Sequence, residues 1–194
     1  MKGRHIFVGD IGHDVCDYIC QESESLLNIS NATLGEKEDN TVTKTIRSGK
    51  TGFITSVDYG HRDLWGYTSN ILWSYINEAN RQSFGFDVSY LSNIQYTIYE
   101  PPGDHYDWHI DTFIDTPNAF QRKLSMTVQL SDGSEYEGGD FELRDGTANP
   151  LNQTELKQKG TVLIFPSFLS HRVKPVTKGV RKTLVAWFEG KAFT

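Results

Sequence analysis

A series of short runs rich in β-branched and aromatic residues places the strongest limits on how this chain can fold. The runs begin after Ser92, and Gly, Pro and Asp turns separate each run from the next. Short runs of this kind are typical of β-strands, and their spacing predicts an antiparallel sandwich or barrel. The predicted strands are Ile94–Tyr99, Trp108–Ile110, Leu124–Leu130, Asp140–Leu143, Thr161–Phe165, Val173–Val176 and Thr183–Phe188.

The first half of the chain predicts helices instead. A short strand is predicted at Ile6–Val8, followed by a helix from about Asp14 to Leu27. The longest predicted helix runs from Asp63 to about Ser83, because apolar residues recur there at helical spacing. Residues 28–48 are polar and are predicted to form a loop. The predicted fold class is therefore α+β, mainly β, with the helices packed on one outer face of the β unit.

Length, charge and cysteine usage limit the organisation of the chain and its partners. With 194 residues it is most simply one domain, 1–194, with helical support mainly in residues 10–90 and a β core in residues 92–190. The net charge of −6 argues against a nucleic-acid partner. No run reaches membrane-spanning length, so we expect no membrane partner. We expect a soluble, cytoplasmic protein without a signal peptide, in which Cys16 and Cys20 are buried or half-buried thiols.

Candidate metal ligands occur in three His-x-Asp triplets, each of which can offer two ligands to one ion. Residues i and i+2 of a strand share a face, which favours the triplet that lies on a predicted strand. His109 and Asp111 meet this condition, and His171 is the only histidine downstream of them. Two imidazoles and one carboxylate leave coordination positions open, as in non-haem Fe(II) oxygenases.

The other two triplets lie in different surroundings. Asp63, in the triplet that begins at His61, is well placed as the N-cap of the long predicted helix. His105 and Asp107 follow a Pro-Pro-Gly turn, where the chain is expected still to be turning. They stay open as an alternative metal pair, or as residues that reach the surroundings of the metal or the substrate.

Three segments of the chain carry a resemblance to a known family, and the first includes the metal triplet. Tyr99–Asp111 contains a Tyr, a turn with Gly, and a second Tyr three residues before His109. This segment resembles the prolyl-4-hydroxylase-like Fe(II)/2-oxoglutarate-dependent dioxygenases, and most of all their bacterial and phage PKHD-type group. The tyrosine spacing of the family selects His109 over His105 as the first metal ligand.

The other two segments extend the resemblance to Trp187. Leu124–Leu143 is similar to the family's LSxTxxLS strand and YxGGxL turn, with Asp140 where Glu is usual. Within it, Gly138 and Gly139 are expected to form a tight turn or bulge. Gly160–Trp187 is similar to the distal half of the family domain, including the spacing of its second metal histidine and its cosubstrate arginine.

The resemblance implies a double-stranded β-helix, or jelly roll, with the metal in its mouth. It implies Fe(II), 2-oxoglutarate and O2 as cofactor and cosubstrates, with ascorbate as the expected reductant. The implied catalytic residues are His109, Asp111 and His171, which would bind the metal, and Arg181, which would bind a carboxylate of 2-oxoglutarate. The further candidates are Tyr99, Thr127 and Trp187 for the cosubstrate, and Tyr106, Trp108 and His105 for the substrate entrance.

The implied reaction is hydroxylation of a C–H bond with release of succinate and CO2. The favoured substrate, by resemblance, is a prolyl residue in a peptide or protein, and a free amino acid or small metabolite is the alternative. Nucleic-acid dealkylation is disfavoured, because Trp187 stands where that subfamily carries a second arginine. A non-catalytic cupin-like metal-binding module is also considered, but the complete ligand set with Arg181 argues against it. A lid over the substrate is predicted in residues 28–50 or 100–106.

Overall fold

The protein is described by a computed structural model that covers residues 2–33, 45–112 and 120–193. All strand pairs in these ranges are antiparallel, and the prediction of a mainly β chain with a few helices is confirmed. No helix within these ranges is long and apolar enough to cross a membrane. The elements are β1 (His5–Phe7), α1 (His13–Leu26), β2 (Ser30–Asn31), β3 (Lys50–Ile54), α2 (Arg62–Ala79), β4 (Tyr90–Tyr99), β5 (Tyr106–His109), β6 (Phe120–Gln129), β7 (Tyr136–Gly138), β8 (Phe141–Leu143), α3 (Gln153–Leu156), β9 (Val162–Pro166), β10 (His171–Val173), β11 (Val176–Gly179) and β12 (Arg181–Lys191).

A seven-stranded sheet forms the larger β layer, in the order β1-β9-β6-β12-β4-β3-β2. Side chains alternate between its two faces, since successive residues of a strand point in opposite directions. On β12, Leu184, Ala186 and Phe188 belong to a buried cluster that also contains Leu72 and Ile76 of α2. One face of the large sheet is therefore covered by helices, and the other face is left for the rest of the β structure.

Two small sheets lie against the second face of the large sheet. Their strand orders are β5-β10-β8 and β11-β7. A separate buried cluster joins them to the large sheet, with Leu163 and Phe165 of β9 packed with Phe141, Val173 and Val176. The space between the large sheet and the three-stranded sheet holds the candidate site.

The predicted strand Val173–Val176 is wrong, because the chain changes sheets inside it. β10 ends at Val173, and β11 begins at Val176. The intervening Pro175 has no N–H to donate to a ladder, and its carbonyl accepts a hydrogen bond of 3.0 Å from the N–H of Gly139. The break allows β10 to pair with β5 and β8 while β11 pairs with β7.

The long helix also departs from prediction at both ends. Its N-cap is His61, and Asp63 lies in the first turn instead of capping the helix. The regular α-helix ends at Ala79, and a π-turn, Asn80–Phe84, completes the predicted length. Gly85 then stops the helix with φ of 75°, and its N–H donates to the carbonyl of Asn80.

The two predicted lid segments differ in what the structure describes. Within residues 28–50, residues 34–44 lie outside the described ranges. β2 occupies part of the stretch that was predicted to be loop, and β3 begins at Lys50, just beyond that stretch. The loop after β4 is held at Gly103, whose N–H donates to the carbonyl of Val176 at 2.9 Å, and at Asp104, whose N–H donates to the carbonyl of Glu100 at 3.0 Å.

Candidate active site

Three side chains with metal-binding atoms lie close together between the two layers. His109 at the end of β5 and His171 at the start of β10 are direct partners across the strand pair. Nε2 of His109 is 3.6 Å from Oδ1 of Asp111, and Nε2 of His171 is 3.5 Å from Oδ2. The three ligand atoms all lie within 4.8 Å of one another, a spacing that no other such group reaches in residues 2–33, 45–112 and 120–193.

The position of Asp111 has a different origin from the one predicted. The alternation of side chains along one strand does not apply, because β5 ends at His109 and Asp111 lies beyond it. The N–H of Asp111 instead donates to the carbonyl of Ser167 at 2.9 Å, and its carbonyl accepts from Arg122 at 3.3 Å. Contacts from distant parts of the chain therefore place the carboxylate beside the two histidines.

Both histidine rings are oriented by hydrogen bonds from Nδ1, the ring nitrogen that faces away from Asp111. Nδ1 of His109 lies 2.8 Å from the carbonyl of Asp107, and Nδ1 of His171 lies 3.0 Å from the carbonyl of Leu169. A carbonyl only accepts hydrogen bonds, so each Nδ1 must carry the proton. Each Nε2 therefore presents its lone pair toward Asp111, which is how an imidazole must point to bind a metal.

The Asp111 carboxylate is held from behind by buried hydroxyl groups. The hydroxyl of Ser125, on β6, donates to Oδ2 of Asp111 at 2.7 Å. The hydroxyl of Ser167 lies 2.9 Å from that of Ser125, and all three side chains are buried. One carboxylate oxygen is thus fixed by a hydrogen bond while both oxygens stay within reach of the histidines.

The site favours protonation states that suit metal binding. Burial, and next the repulsion that a second protonated imidazole at His171 would exert, lower the pKa of His109 to about 4, so the His109 imidazole is neutral at neutral pH. Burial by itself raises the pKa of Asp111, but the charges of His171 and His109 and the Ser125 hydrogen bond bring it below its usual value. Metal ligands must be deprotonated, and His109 and Asp111 already meet this condition near pH 7.

Arg181 brings a buried positive charge to the same cavity. It starts β12, is 4% exposed, and its Nε has no hydrogen-bond partner among the described residues. Its guanidinium lies 5.5 Å from the centre of the Tyr99 ring. Space for the side chain comes from Gly139, where a Cβ would lie 2.9 Å from Cδ of Arg181. A buried cation of this kind needs an anion, and a carboxylate matches its planar geometry.

A cavity of about 370 Å³ connects the ligand cluster with Arg181. Tyr99, Thr127, Trp187 and Tyr106 line it, as do the three metal-ligand candidates. Its volume falls in the usual range for small-molecule sites. The cavity is therefore large enough for a small cosubstrate that touches both the metal ligands and Arg181.

Two sequence-predicted candidates lie outside the wall of this cavity. Two guanidinium groups contact the Trp108 ring, with Arg144 at 3.9 Å and Arg172 at 4.8 Å from its centre. The ring nitrogens of His105 contact the carbonyls of Gly103 and Thr45 at 2.9 Å and 3.1 Å. Both side chains are thus engaged by neighbouring groups in the described part of the chain.

Several site residues were missed in the sequence. Ser125 stands two residues before Thr127 on the same strand face, so the alternation of β6 could have revealed it. Ser167 and Arg122 reach the site only through contacts between segments that are distant in the sequence. Arg47 lines the cavity from a segment that was predicted to be loop, and no local pattern marks it.

The residues present fit the metal and cosubstrate that the motifs implied. Two imidazole nitrogens and one carboxylate oxygen on one side of a cavity are the donor set of non-haem Fe(II) sites. The unpartnered buried Nε of Arg181 on the same cavity suits a dicarboxylate such as 2-oxoglutarate.

Sequence comparison supports the same assignment. The model of the 2OG-Fe(II) oxygenase superfamily matches residues 94–189. A PKHD-type hydroxylase of Synechococcus sp. (strain CC9902) is 38% identical over 94 residues, which make up 45% of this chain and 37% of that protein. Matched regions in the curated relatives cover 36% to 53% of their own lengths.

Solved structures share the fold over almost the whole chain. A prolyl hydroxylase from Trichoplax adhaerens, in complex with a hypoxia inducible factor oxygen degradation domain peptide fragment, has a TM-score of 0.74 at 20% identity. That alignment covers 97% of this chain and 84% of the other. A Pseudomonas putida prolyl-4-hydroxylase has a TM-score of 0.65 at 20% identity, covering 100% of this chain and 95% of the other. At these identities the likeness concerns the fold.

Proposed function

We propose that this chain, which belongs to the 2OG-Fe(II) oxygenase superfamily through residues 94–189, acts as an Fe(II)- and 2-oxoglutarate-dependent dioxygenase. The reaction is hydroxylation of a C–H bond with release of succinate and CO2. One observation carries the proposal: the His109, Asp111 and His171 cluster opens on the same cavity as the buried guanidinium of Arg181. A metal-binding module without turnover has no need of that cation.

The metal would be held by Nε2 of His109, Nε2 of His171 and the carboxylate of Asp111. When bound, Fe(II) supplies the redox chemistry and the open coordination positions that O2 activation requires. The chain itself contributes fixed ligand geometry. The carbonyls of Asp107 and Leu169 set the orientation of the imidazoles, and Ser125 sets that of the carboxylate.

The cosubstrate would lie between the metal ligands and Arg181. The Arg181 guanidinium would bind the distal carboxylate of 2-oxoglutarate through paired hydrogen bonds. Tyr99 and Thr127 line the same cavity and offer hydroxyl groups to that carboxylate. Trp187 supplies a flat apolar wall. These contacts fix one end of the cosubstrate, so that its other end reaches the metal ligands.

The substrate we propose is a prolyl residue in a peptide or protein. Support comes from the PKHD-type relatives and from the prolyl hydroxylases that share the fold. Phe53 and Ile110 line the cavity and are each 45% exposed, which places apolar surface at its entrance. We further propose that the two β layers form a double-stranded β-helix, and that residues 1–194 work as one domain.

The test is succinate formation by the purified protein with Fe(II), 2-oxoglutarate, ascorbate and a peptide library, with mass spectrometry of the peptides. We expect succinate that depends on 2-oxoglutarate, and a gain of one oxygen atom on peptides that contain proline. Free amino acids, small acids and single-stranded DNA form the other arms. If no arm yields succinate above the metal-free control, the dioxygenase proposal is wrong.

Two variants check which triplet holds the metal. His109→Ala removes a metal ligand and should abolish Fe-dependent turnover. His61→Ala alters the matched His-x-Asp triplet at the start of α2, which does not line the cavity, and should leave turnover close to wild type. The reverse result would move the metal site to the other triplet.

A further inference from the structure

We infer that Arg47 binds a carboxylate of the substrate at the mouth of the cavity, so that the preferred substrate carries an acidic group close to the oxidised C–H bond. This inference rests on the proposed dioxygenase function and names a chemical feature of the substrate. It is carried by the position of Arg47 and by the balance of charges on the cavity wall.

Arg47 is separated from the candidate metal ligand His109 by the aromatic ring of Tyr106. Its guanidinium lies 4.6 Å from the centre of the Tyr106 ring. That ring in turn stacks on the imidazole of His109, with centroids 3.5 Å apart and planes inclined by 11°. Arg47 therefore lines the same cavity as His109, with the Tyr106 ring between the two side chains.

The backbone fixes Arg47 in this place. Arg47 and Tyr106 form an antiparallel bridge, and the N–H of the next residue, Ser48, donates to the carbonyl of His105 at 2.9 Å. The side chain stacks on Tyr106 and donates to the carbonyl of Thr33 at 3.2 Å. The guanidinium is thus pre-positioned, which reduces the entropy lost when it binds a ligand.

The charges on the cavity wall leave a positive excess. Three arginines, Arg47, Arg122 and Arg181, line the cavity, and Asp111 is its only acidic lining residue among those described. The two positive charges of Fe(II) and the two negative charges of 2-oxoglutarate cancel each other. Charges in a partly enclosed cavity are costly unless they are paired, so the excess calls for a further anion.

The other two arginines already have roles that use their charge. Arg181 faces the place of the cosubstrate. Arg122 lies 4.1 Å over the Trp187 ring, 3.9 Å from the carboxylate of Glu189, and donates to the carbonyl of Asp111. Arg47 has no carboxylate partner in residues 2–33, 45–112 and 120–193, and its Nε is buried without a hydrogen-bond partner there. Within the described part of the chain, the cavity charge without a carboxylate partner is therefore that of Arg47.

A second opening beside Arg47 gives the substrate room to continue. Arg47 also forms part of the wall of a neighbouring open groove of about 350 Å³, lined by Ser48, Gly49, Lys50 and Glu100 among others. An extended peptide whose acidic residue meets Arg47 could follow this groove. A small carboxylic acid would pair with Arg47 without occupying the groove. The length of the preferred substrate therefore distinguishes a peptide from a free small acid as the source of the carboxylate.

The experiment compares the turnover and binding of acidic substrates with those of matched neutral analogues, each called here the neutral twin of its acid. Proline peptides with Glu at each flanking position, the same peptides with Gln, and small carboxylic acids with their amides are tested for turnover and for binding to Mn(II)- and 2-oxoglutarate-loaded protein. We expect at least one Glu peptide to bind and react roughly 10-fold better than its Gln twin, as a charged hydrogen bond implies. A preference confined to the small acids would assign the carboxylate to a free metabolite instead of a peptide.

Arg47→Met should remove this preference, and Arg47→Lys should keep part of it. Arg62→Met is the matched control, because Arg62 also lies over a tyrosine ring, 4.8 Å from the centre of Tyr59, but outside the cavity. The control should keep the full preference. Equal binding of acidic and neutral twins by the wild type, or a preference that survives Arg47→Met, would overturn the inference. The proposed function fails separately, if the wild type forms no succinate from any substrate.

Discussion

The hydroxyl of Ser125 donates a 2.7 Å hydrogen bond to Oδ2 of Asp111, deep between the two β layers. Ser125 is 1% exposed and Asp111 is 7% exposed, so water does not readily replace the bond. The hydroxyl of Ser167 completes the arrangement at 2.9 Å from that of Ser125. The carboxylate of the proposed metal site is thereby held in one orientation before any metal binds.

Ser125→Ala should weaken metal binding by roughly 10- to 100-fold, the usual effect of losing a hydrogen bond to a metal ligand. Titration with Co(II), followed by its visible absorption, measures both the affinity and the geometry of the site. Ser23→Ala is the control, because Ser23 is a fully buried serine on α1 whose hydroxyl has no hydrogen-bond partner among the described residues. Equal Co(II) affinity in the two variants would show that the hydroxyl does not position Asp111.

Arg181→Met should raise the KM for 2-oxoglutarate by roughly 100-fold, because a buried charge-assisted pair is lost. Arg181→Lys should fall between this variant and the wild type, since a lysine keeps the charge but not the planar fork. Lys182→Met is the control from the same strand. Its side chain points to the other face of the sheet, where it pairs with Glu24. A similar KM in all three variants would remove Arg181 from the cosubstrate site.

Gly139→Ala should disturb the cosubstrate site through Arg181. The residue has φ of 63°, and a Cβ there would lie 2.9 Å from Cδ of Arg181 and 3.0 Å from Cγ2 of Val176. Gly146→Ala is the matched control, with φ of 76° and nothing within 4 Å of its Cβ. Both variants should lose about 1 kcal/mol of stability from the left-handed backbone, measured by denaturant unfolding. Only Gly139→Ala should also raise the KM for 2-oxoglutarate, and an unchanged KM would contradict the prediction.

The Cys16 thiol should react slowly in the folded protein. Burial raises the pKa of Cys16 from 9.0 to about 11, which lowers the thiolate fraction at pH 8 by about 100-fold. The thiolate is the nucleophile, so the alkylation rate should increase as pH rises toward 11. Iodoacetamide labelling followed by peptide mass spectrometry measures this rate, with guanidinium-unfolded protein as the reference. Labelling of Cys16 at the same rate in the folded and the unfolded protein would contradict this prediction.

The sequence was a good guide wherever one element carries its own pattern. The alternation on β6 and β12 and the apolar stripe of α2 belong to single segments, so strands and helix were located to within a few residues. The resemblance to prolyl-4-hydroxylase-like oxygenases is likewise confirmed, because its motifs are local strings. Errors arose at the ends of elements and at Val173–Val176, where pairing with distant strands decides which sheet a residue joins.

By itself, the sequence determined the residue types of the candidate site, namely two histidines, a carboxylate and a distant arginine, but of these only His109 lay within a predicted strand. Only the tertiary structure decided that Asp111 faces the histidines, because Ser167, just after β9, and Ser125, on β6, hold it there. The same holds for Arg47, which no pattern marked and which reaches His109 only through the ring of Tyr106. The physical reason is that hydrogen bonds and stacking between residues distant in sequence depend on how the two β layers pack against each other. The periodicity of a single segment does not encode that packing.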